Sequence, residues 1–155
     1  MKKLTIAAIS VLLLQAAVAT ANTRLVVRVY SGDLIEIEGG WVTRLTGISV
    51  PEPDETFGMQ ALDFTKRQIE GRTVAMFTWT TDNTAATIVR DENGRPFATI
   101  KFGTSLDIDL AAALLEKGLA RVDEEHLPES LHHYREIERG ARQNGLGIWS
   151  APAPN

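Results

Sequence analysis

Three short runs of β-forming residues near the start of the chain limit it to a small arrangement of antiparallel strands. They span residues 25–30, 34–38 and 41–45. The middle run alternates apolar and acidic residues with a period of two, so one face of this strand is expected to contact solvent. Turn-forming sequences separate the runs, namely Ser31-Gly32-Asp33 and Gly39-Gly40. The sequence therefore predicts that the fold begins with a β-meander.

Further strands and three helices are predicted along the rest of the chain. The strands are expected at residues 73–80, 85–90 and 96–102, and the helices at about 58–70, 110–117 and 127–143. Asp54 or Thr56 is expected to cap the first helix, and Asp107 or Asp109 the second. The turn at 91–94 contains an Asn-Gly pair, which is typical of a hairpin between two strands.

The first 21 residues have the pattern of a secretory signal peptide. Lys2 and Lys3 precede an apolar stretch at 6–14, and Ala19-Thr20-Ala21 is a typical cleavage sequence. The apolar stretch is too short to cross a bilayer. We therefore expect cleavage after Ala21 and an exported protein, periplasmic or secreted, that is monomeric and free of the membrane. The predicted parts are a signal peptide at 1–21, one domain at 22–150 and a short tail at 151–155.

The charge balance is unusual for a protein that binds nucleic acid. The predicted signal peptide holds two of the 16 basic residues and none of the 20 acidic ones, so the mature chain has a net charge of −6. Affinity for nucleic acid comes largely from basic surface. A net acidic chain can still present a local basic cleft, but its long-range field opposes the approach of a polyanion.

Four charged residues stand in order in settings that suggest phosphodiester chemistry. They are Asp33, Arg44, Glu52 and Arg95. A carboxylate can hold a metal ion, a second can activate water, and two guanidiniums can bind a phosphate. Taken singly, each residue is better explained by a turn, a strand or a loop, because short motifs often match by chance. Their joint pattern favours a phosphodiesterase.

Around these residues the sequence resembles the staphylococcal nuclease (thermonuclease-like) family. The resemblance extends from about residue 25 to residue 149 and rests on the segments Val29-Tyr30-Ser31-Gly32-Asp33, Arg44-Leu45-Thr46-Gly47-Ile48-Ser49-Val50-Pro51-Glu52, Asp91-Glu92-Asn93-Gly94-Arg95, Gly118-Leu119-Ala120 and Gly145-Leu146-Gly147-Ile148-Trp149. It implies a mainly β fold with α-helices, namely a five-stranded OB-type Greek-key barrel with three helices.

The resemblance also implies roles for individual residues. Arg44 and Arg95 would bind the scissile phosphate of DNA or RNA, and Glu52 would act as the general base or orient the water. A calcium ion would be held by Asp33 and the backbone carbonyl of Val50. Ser49 stands where the family has a second metal carboxylate. Because affinity for calcium follows the number of carboxylates, we expect weak binding here.

The substrate-binding rim also departs from the family. A lysine and a tyrosine that precede the hairpin Gly-Arg correspond here to Glu92 and Asn93. Two tyrosines that follow the Gly-Leu-Ala segment correspond to Glu124 and His126. These replacements remove positive charge and stacking surface. The three histidines are expected to be solvated, and the three tryptophans are expected to pack in the core or on half-buried strands.

Three functional interpretations remain open. The chain is a metal-dependent nuclease with an altered metal site and rim, a non-catalytic module that binds nucleic acid or protein, or a hydrolase of a smaller phosphodiester. Retention of Arg44, Glu52 and Arg95 together favours the first. Ser49 and the altered rim favour the second. The acidic field favours the third, because a small substrate tolerates it better than a polymer does.

Overall fold

The computed structural model describes residues 23–82 and 87–150. The predicted signal peptide and tail lie outside the described residues, as do residues 83–86. The strands are β1 Thr23–Val29, β2 Leu34–Ile37, β3 Trp41–Leu45, β4 Ile48–Ser49, β5 Thr73–Thr78, β6 Phe97–Phe102, β7 Ile108–Asp109 and β8 Arg121–Val122. The α-helices of the described part are α1 Gly58–Ile69, α2 Leu110–Glu116 and α3 Tyr134–Gln143, with 3-10 turns at Glu129–Leu131 and Gly147–Trp149.

Five of the strands close into a barrel. β1 lies between β2 and β5, β2 pairs with β3, and β5 pairs with β6, all antiparallel. A parallel pairing of β3 with β6 closes the ring, with Arg44 opposite Phe97 and Leu45 opposite Ala98. Closure leaves no free edge within the barrel. The predicted five-stranded barrel with three helices is confirmed, and its closing pairing places the Arg44 strand beside the segment that follows Arg95.

The barrel interior and the helices share one hydrophobic core. Its fully buried residues include Val26, Ile35, Leu45, Val74, Ile100, Leu110, Leu114 and Tyr134. The Asp109 carboxylate caps α2 by accepting from the backbone N–H groups of Ala111 and Ala112, as predicted. Its other oxygen accepts from the Tyr134 hydroxyl at 2.8 Å, which ties α3 to α2.

The predicted cap of the first helix is wrong. Neither Asp54 nor Thr56 caps α1. Phe57 is the N-cap, at φ +68°, and it makes no side-chain cap bond. The chain approaches the helix through backbone turns instead, because Glu55 N–H donates to the Glu52 carbonyl and Gly58 N–H to the Glu55 carbonyl. A Cβ on Gly58 would lie 1.7 Å from the Glu52 oxygen, so only glycine fits there.

Two further expectations are corrected. In the described part of 85–90 the chain makes isolated bridges, Thr80 to Ile88 and Arg90 to Pro96, rather than a continuous strand. Trp41 does not pack in the interior, because 65% of its surface is exposed.

Within residues 23–82 and 87–150, no helix combines the length and apolar character needed to cross a membrane.

Candidate functional site

Asp33 lies in the loop between β1 and β2 and is almost completely buried. The Ser31 hydroxyl donates to its Oδ1 at 2.7 Å, and Arg44 Nη1 donates to its Oδ2 at 3.1 Å. Burial raises the pKa of the Asp33 carboxyl, although Arg44 and the Ser31 hydroxyl act in the opposite direction. Because both oxygens already have partners, Asp33 is part of an ion-pair network rather than a free carboxylate.

Arg44 links this loop to the hairpin that precedes β6. Its side chain leaves β3 on the outer face of the barrel, and its Nε donates to Asp91 Oδ2 at 3.2 Å. Its backbone N–H donates to the Pro96 carbonyl at 3.0 Å, so main chain and side chain both contact the hairpin. The guanidinium of Arg44 therefore lies between two carboxylates.

Asp91 organises the hairpin that presents Arg95. Its Oδ1 accepts from the backbone N–H groups of Asn93 at 3.0 Å and Arg95 at 2.9 Å, and its Oδ2 accepts from Arg95 Nε at 2.7 Å. Gly94 adopts φ +75°, which lets the chain turn back within this short loop. Partial burial raises the pKa of Asp91, but the N–H groups and guanidinium of Arg95 and the N–H of Asn93 outweigh it, so the pKa lies below its ordinary value.

The two guanidiniums share one Asp91 oxygen and keep other N–H groups available. The Arg44 and Arg95 side chains are 25% and 24% exposed. Within residues 23–82 and 87–150, Arg44 Nη2 and both terminal nitrogens of Arg95 make no hydrogen bond. Neighbouring guanidiniums with free N–H groups suit a tetrahedral oxyanion such as phosphate, which accepts several charge-assisted hydrogen bonds.

Glu52 lies in the exposed loop between β4 and α1. Its backbone N–H donates to Glu55 Oε2 at 2.7 Å, which holds the loop. The Glu52 carboxylate makes no hydrogen bond or ion pair with any described residue. The structure thus bonds Asp33 to Arg44 directly and links Arg44 to Arg95 through Asp91, while Glu52 is not bonded to any of these residues.

The two other predicted metal ligands lie on the segment around β4. Val50 is buried, and its Cγ1 would lie 2.6 Å from a Cβ placed on Gly32, so this segment packs against the Asp33 loop. Ser49 is exposed and pairs with Arg121 across β4 and β8. The Asp33 loop and the Val50 segment are therefore neighbours, as a shared cation would require.

These residues do not fit a strongly bound calcium ion. Calcium takes six to eight oxygen ligands, with carboxylates giving most of the affinity. Here Asp33 is already engaged by Arg44 and Ser31, and Ser49 offers a neutral hydroxyl. No group of three or more acidic or histidine side chains in the described residues is arranged to hold a metal ion.

Two of the predicted rim residues, Glu124 and His126, have partners of their own. The Glu124 carboxylate forms a two-pronged ion pair with Arg135, with nitrogen–oxygen distances of 3.0 and 2.6 Å. His126 stacks on the Phe97 ring with centroids 4.6 Å apart, and its Nδ1 lies 2.7 Å from Asp123 Oδ2. The expectation that His126 is solvated is wrong, because the ring is stacked and only 29% exposed.

Asp91 is the site residue that sequence reasoning missed. The sequence places it in a turn, yet it accepts four hydrogen bonds, three of them from Arg44 and Arg95. A local signal was present, since Asp at the first position of Asp-Glu-Asn-Gly-Arg is typical of an Asx turn. Its bond to Arg44 depends on strand pairing that no local pattern shows.

The closed five-stranded barrel with three helices is consistent with the staphylococcal nuclease (OB-type) fold class. The family model described as Staphylococcal nuclease homologue matches residues 42–151. The chain therefore belongs to the staphylococcal nuclease homologue family. This region contains Arg44, Glu52, Asp91 and Arg95, whereas Asp33 precedes it. Among curated proteins, no significant match to the chain is found.

Proposed function

We propose that this protein is an exported phosphodiesterase that hydrolyses nucleic acid. The observation that supports this best is the Asp91 carboxylate shared by Arg44 and Arg95. It orients both guanidiniums while their outer N–H groups stay free for a phosphate. Such preorganised donors stabilise the charge that develops on phosphoryl oxygens in the transition state.

In the proposed reaction Glu52 takes a proton from water. The water oxygen then forms a bond to phosphorus, and the bond from phosphorus to the leaving ester oxygen breaks. The leaving oxygen takes up a proton from solvent, and Glu52 later releases its proton. An exposed carboxylate without a partner among the described residues suits this role, because its oxygens are open to a water molecule.

Calcium enters the proposal only as a weakly bound ion. Asp33, the Val50 carbonyl and the Ser49 hydroxyl are the groups that would hold it. A cation bound there would supply positive charge to the phosphate. The steps assigned to Arg44 and Arg95 do not depend on it.

A second candidate is a non-catalytic module that binds nucleic acid. The full pairing of Asp33 with Ser31 and Arg44 favours it, because a metal ion would have to displace these partners. The absence of a bond between Glu52 and the described arginines also favours it. In this case Arg44 and Arg95 would bind phosphate without hydrolysis.

The experiment is a cleavage assay on the protein lacking residues 1–21, with labelled single-stranded DNA and RNA, in calcium and in EDTA. Wild type is compared with Arg95→Lys and with a control, Arg72→Lys. Arg72 is exposed and its side chain has no described partner. Loss of about 10²–10³-fold in rate for Arg95→Lys alone, with an unchanged melting temperature, supports the nuclease. Binding without cleavage by wild type in both conditions supports the non-catalytic module.

A further inference from the structure

A second cleft opens on the barrel outside the arginine network. Its volume is about 700 Å³. Its lining includes Arg24, Ile37, Trp41, Phe77, Arg90 and Pro96. Its lining comes from β1, β2, β3, β5 and the hairpin before β6. None of the groups assigned to phosphate hydrolysis lines it.

Two aromatic rings in this cleft are unusually exposed. Trp41 is 65% exposed and Phe77 is 46% exposed. Neither ring stacks on another aromatic ring within the described residues, unlike Trp79, which contacts Phe97 edge-on at 6.2 Å. Flat apolar surface left in water at one place often marks a binding site. Aromatic rings in that position can take up another planar group by stacking.

The charges of the cleft have one sign. Arg24 and Arg90 line it, and no carboxylate of the described residues does. Each guanidinium donates to a backbone carbonyl at 2.8 Å, Arg24 to Thr23 and Arg90 to Gly94, and neither forms an ion pair in the described part. In a chain with net charge −4, two unneutralised arginines beside exposed rings form a local basic and aromatic surface.

The cleft adjoins the hairpin that carries Arg95. Arg90 bridges to Pro96 and bonds Gly94, and both residues adjoin Arg95 in the chain. Pro96 lines the cleft, while its carbonyl accepts from the backbone N–H of Arg44. A polymer held by Arg44 and Arg95 would therefore meet the cleft within a short distance along the hairpin.

We propose that this cleft binds single-stranded nucleic acid next to the phosphate held at the arginine network. Bases stack on Trp41 and Phe77, and Arg24 and Arg90 contact phosphates. The proposal rests on the proposed function for the position of the scissile phosphate. Single strands are the expected form, because bases must leave their own stack to lie on protein rings. The cleft also gives a net acidic chain a local means of holding a polyanion.

The direct test is binding of a fluorescein-labelled DNA strand of about twelve nucleotides, within the usual range of site sizes, measured by anisotropy in EDTA. The Trp41→Ala, Phe77→Ala double variant should lose about 30-fold or more in affinity, since losing one stacked base costs about 5- to 160-fold. Trp41→Phe should retain more affinity than Trp41→Ala, because a ring remains. The control is Tyr30→Ala, which removes an exposed ring outside the cleft.

The charged half of the cleft is tested by salt dependence. Replacing Arg24 and Arg90 with Gln should reduce the slope of log affinity against log salt by about 1.4, since each single-strand phosphate contact contributes about 0.7. The matched control is Arg72→Gln. An unchanged slope in the double variant would remove the phosphate contacts from the proposal.

The outcomes separate this inference from the proposed function. If wild type binds but never cleaves, and the ring variants lose affinity, the hydrolysis proposal fails and the cleft stands. If Arg95→Lys loses cleavage while the ring variants bind like wild type, the cleft proposal is overturned and the phosphate site stands. Tighter binding of duplex DNA than of single-stranded DNA would also overturn the cleft proposal. A wild-type dimer seen by sedimentation that is lost in Trp41→Ala would overturn the cleft proposal as well, because the rings would then bind a second copy of the chain.

Discussion

The Asp33 carboxylate and the Arg44 guanidinium are paired with each other, with Oδ2 and Nη1 3.1 Å apart. The family resemblance assigns Asp33 to a metal ion and Arg44 to a phosphate. In this chain one contact joins them, so a cation that approached Asp33 would compete with Arg44 for the same oxygen. Because Asp33 is also buried, this competition is expected to weaken cation binding.

Glu52→Gln should reduce turnover on a phosphodiester by about 10²–10⁴-fold, the range for losing general base catalysis. The fold should be unaffected, because the Glu52 carboxylate is exposed and has no described partner. Initial rates and melting temperatures measured side by side check this. Asp54→Asn serves as the control, since it removes an exposed carboxylate from the same loop. Turnover within a factor of three of wild type in Glu52→Gln would refute the role of general base.

Asp91→Asn should lower both stability and activity. It removes the charge that balances Arg44 and Arg95, whose hydrogen bonds to a carboxylate are each worth about 1.5–3 kcal/mol before solvent screening. Because both guanidiniums are about one-quarter exposed, we expect a net loss of only about 1–3 kcal/mol in the free energy of unfolding. Urea titration measures it. Asp63→Asn, an exposed change on α1, is the control.

The same variant should change the response to acid. The pKa of Asp91 is lowered in the folded state, so its stabilising contribution is present above the ordinary aspartate pKa and is lost as pH falls through the lower folded value. The pKa of Asp33 is raised by burial, so its contribution has the opposite sign and opposes stability at higher pH. The stability gap between wild type and Asp91→Asn should therefore be widest near pH 7 and shrink below about pH 4. A gap that stays constant with pH would show that the Asp91 charge is not what stabilises the hairpin.

Ser49→Asp should strengthen calcium binding, because it adds an anionic oxygen on the segment beside the Asp33 loop. Without calcium the added charge is expected to cost some stability, because it stands on the segment that packs against the loop of the Asp33 carboxylate. Calorimetric titration of wild type and variant measures the affinity, with cleavage assays alongside. Faster cleavage with tighter binding would indicate a weakened metal site. If neither protein binds calcium or cleaves, the non-catalytic module becomes the better interpretation.

Export should leave Asn22 as the first residue, since cleavage is expected after Ala21. Intact-mass spectrometry of the exported protein tests this directly. A matched Ala19→Arg, Ala21→Arg variant should block cleavage by removing the small residues at the site. Recovery of the uncleaved wild-type chain from the membrane fraction would contradict the prediction.

Sequence alone was sufficient for the features that depend on local pattern. The helices and the Asp109 cap follow from periodicity and capping chemistry, whereas the five-stranded barrel is implied by the family resemblance, which the family match confirms. The joint pattern of the four charged residues also singled out Arg44 and Arg95 together. The sequence could not show that Asp91 joins the two arginines, because that contact depends on where the hairpin meets β3.

Tertiary structure decided every feature that arises from contact between distant segments. The parallel pairing of β3 with β6 brings Arg44 to Asp91, and the packing of the β8 loop on β6 places His126 over Phe97. Trp41 shows the same limit. Its place in a strand predicts a buried or half-buried ring, but the ring is exposed in the folded barrel. Periodicity reports which face of a strand is apolar, whereas burial and ion pairing depend on what the closed barrel places against that face.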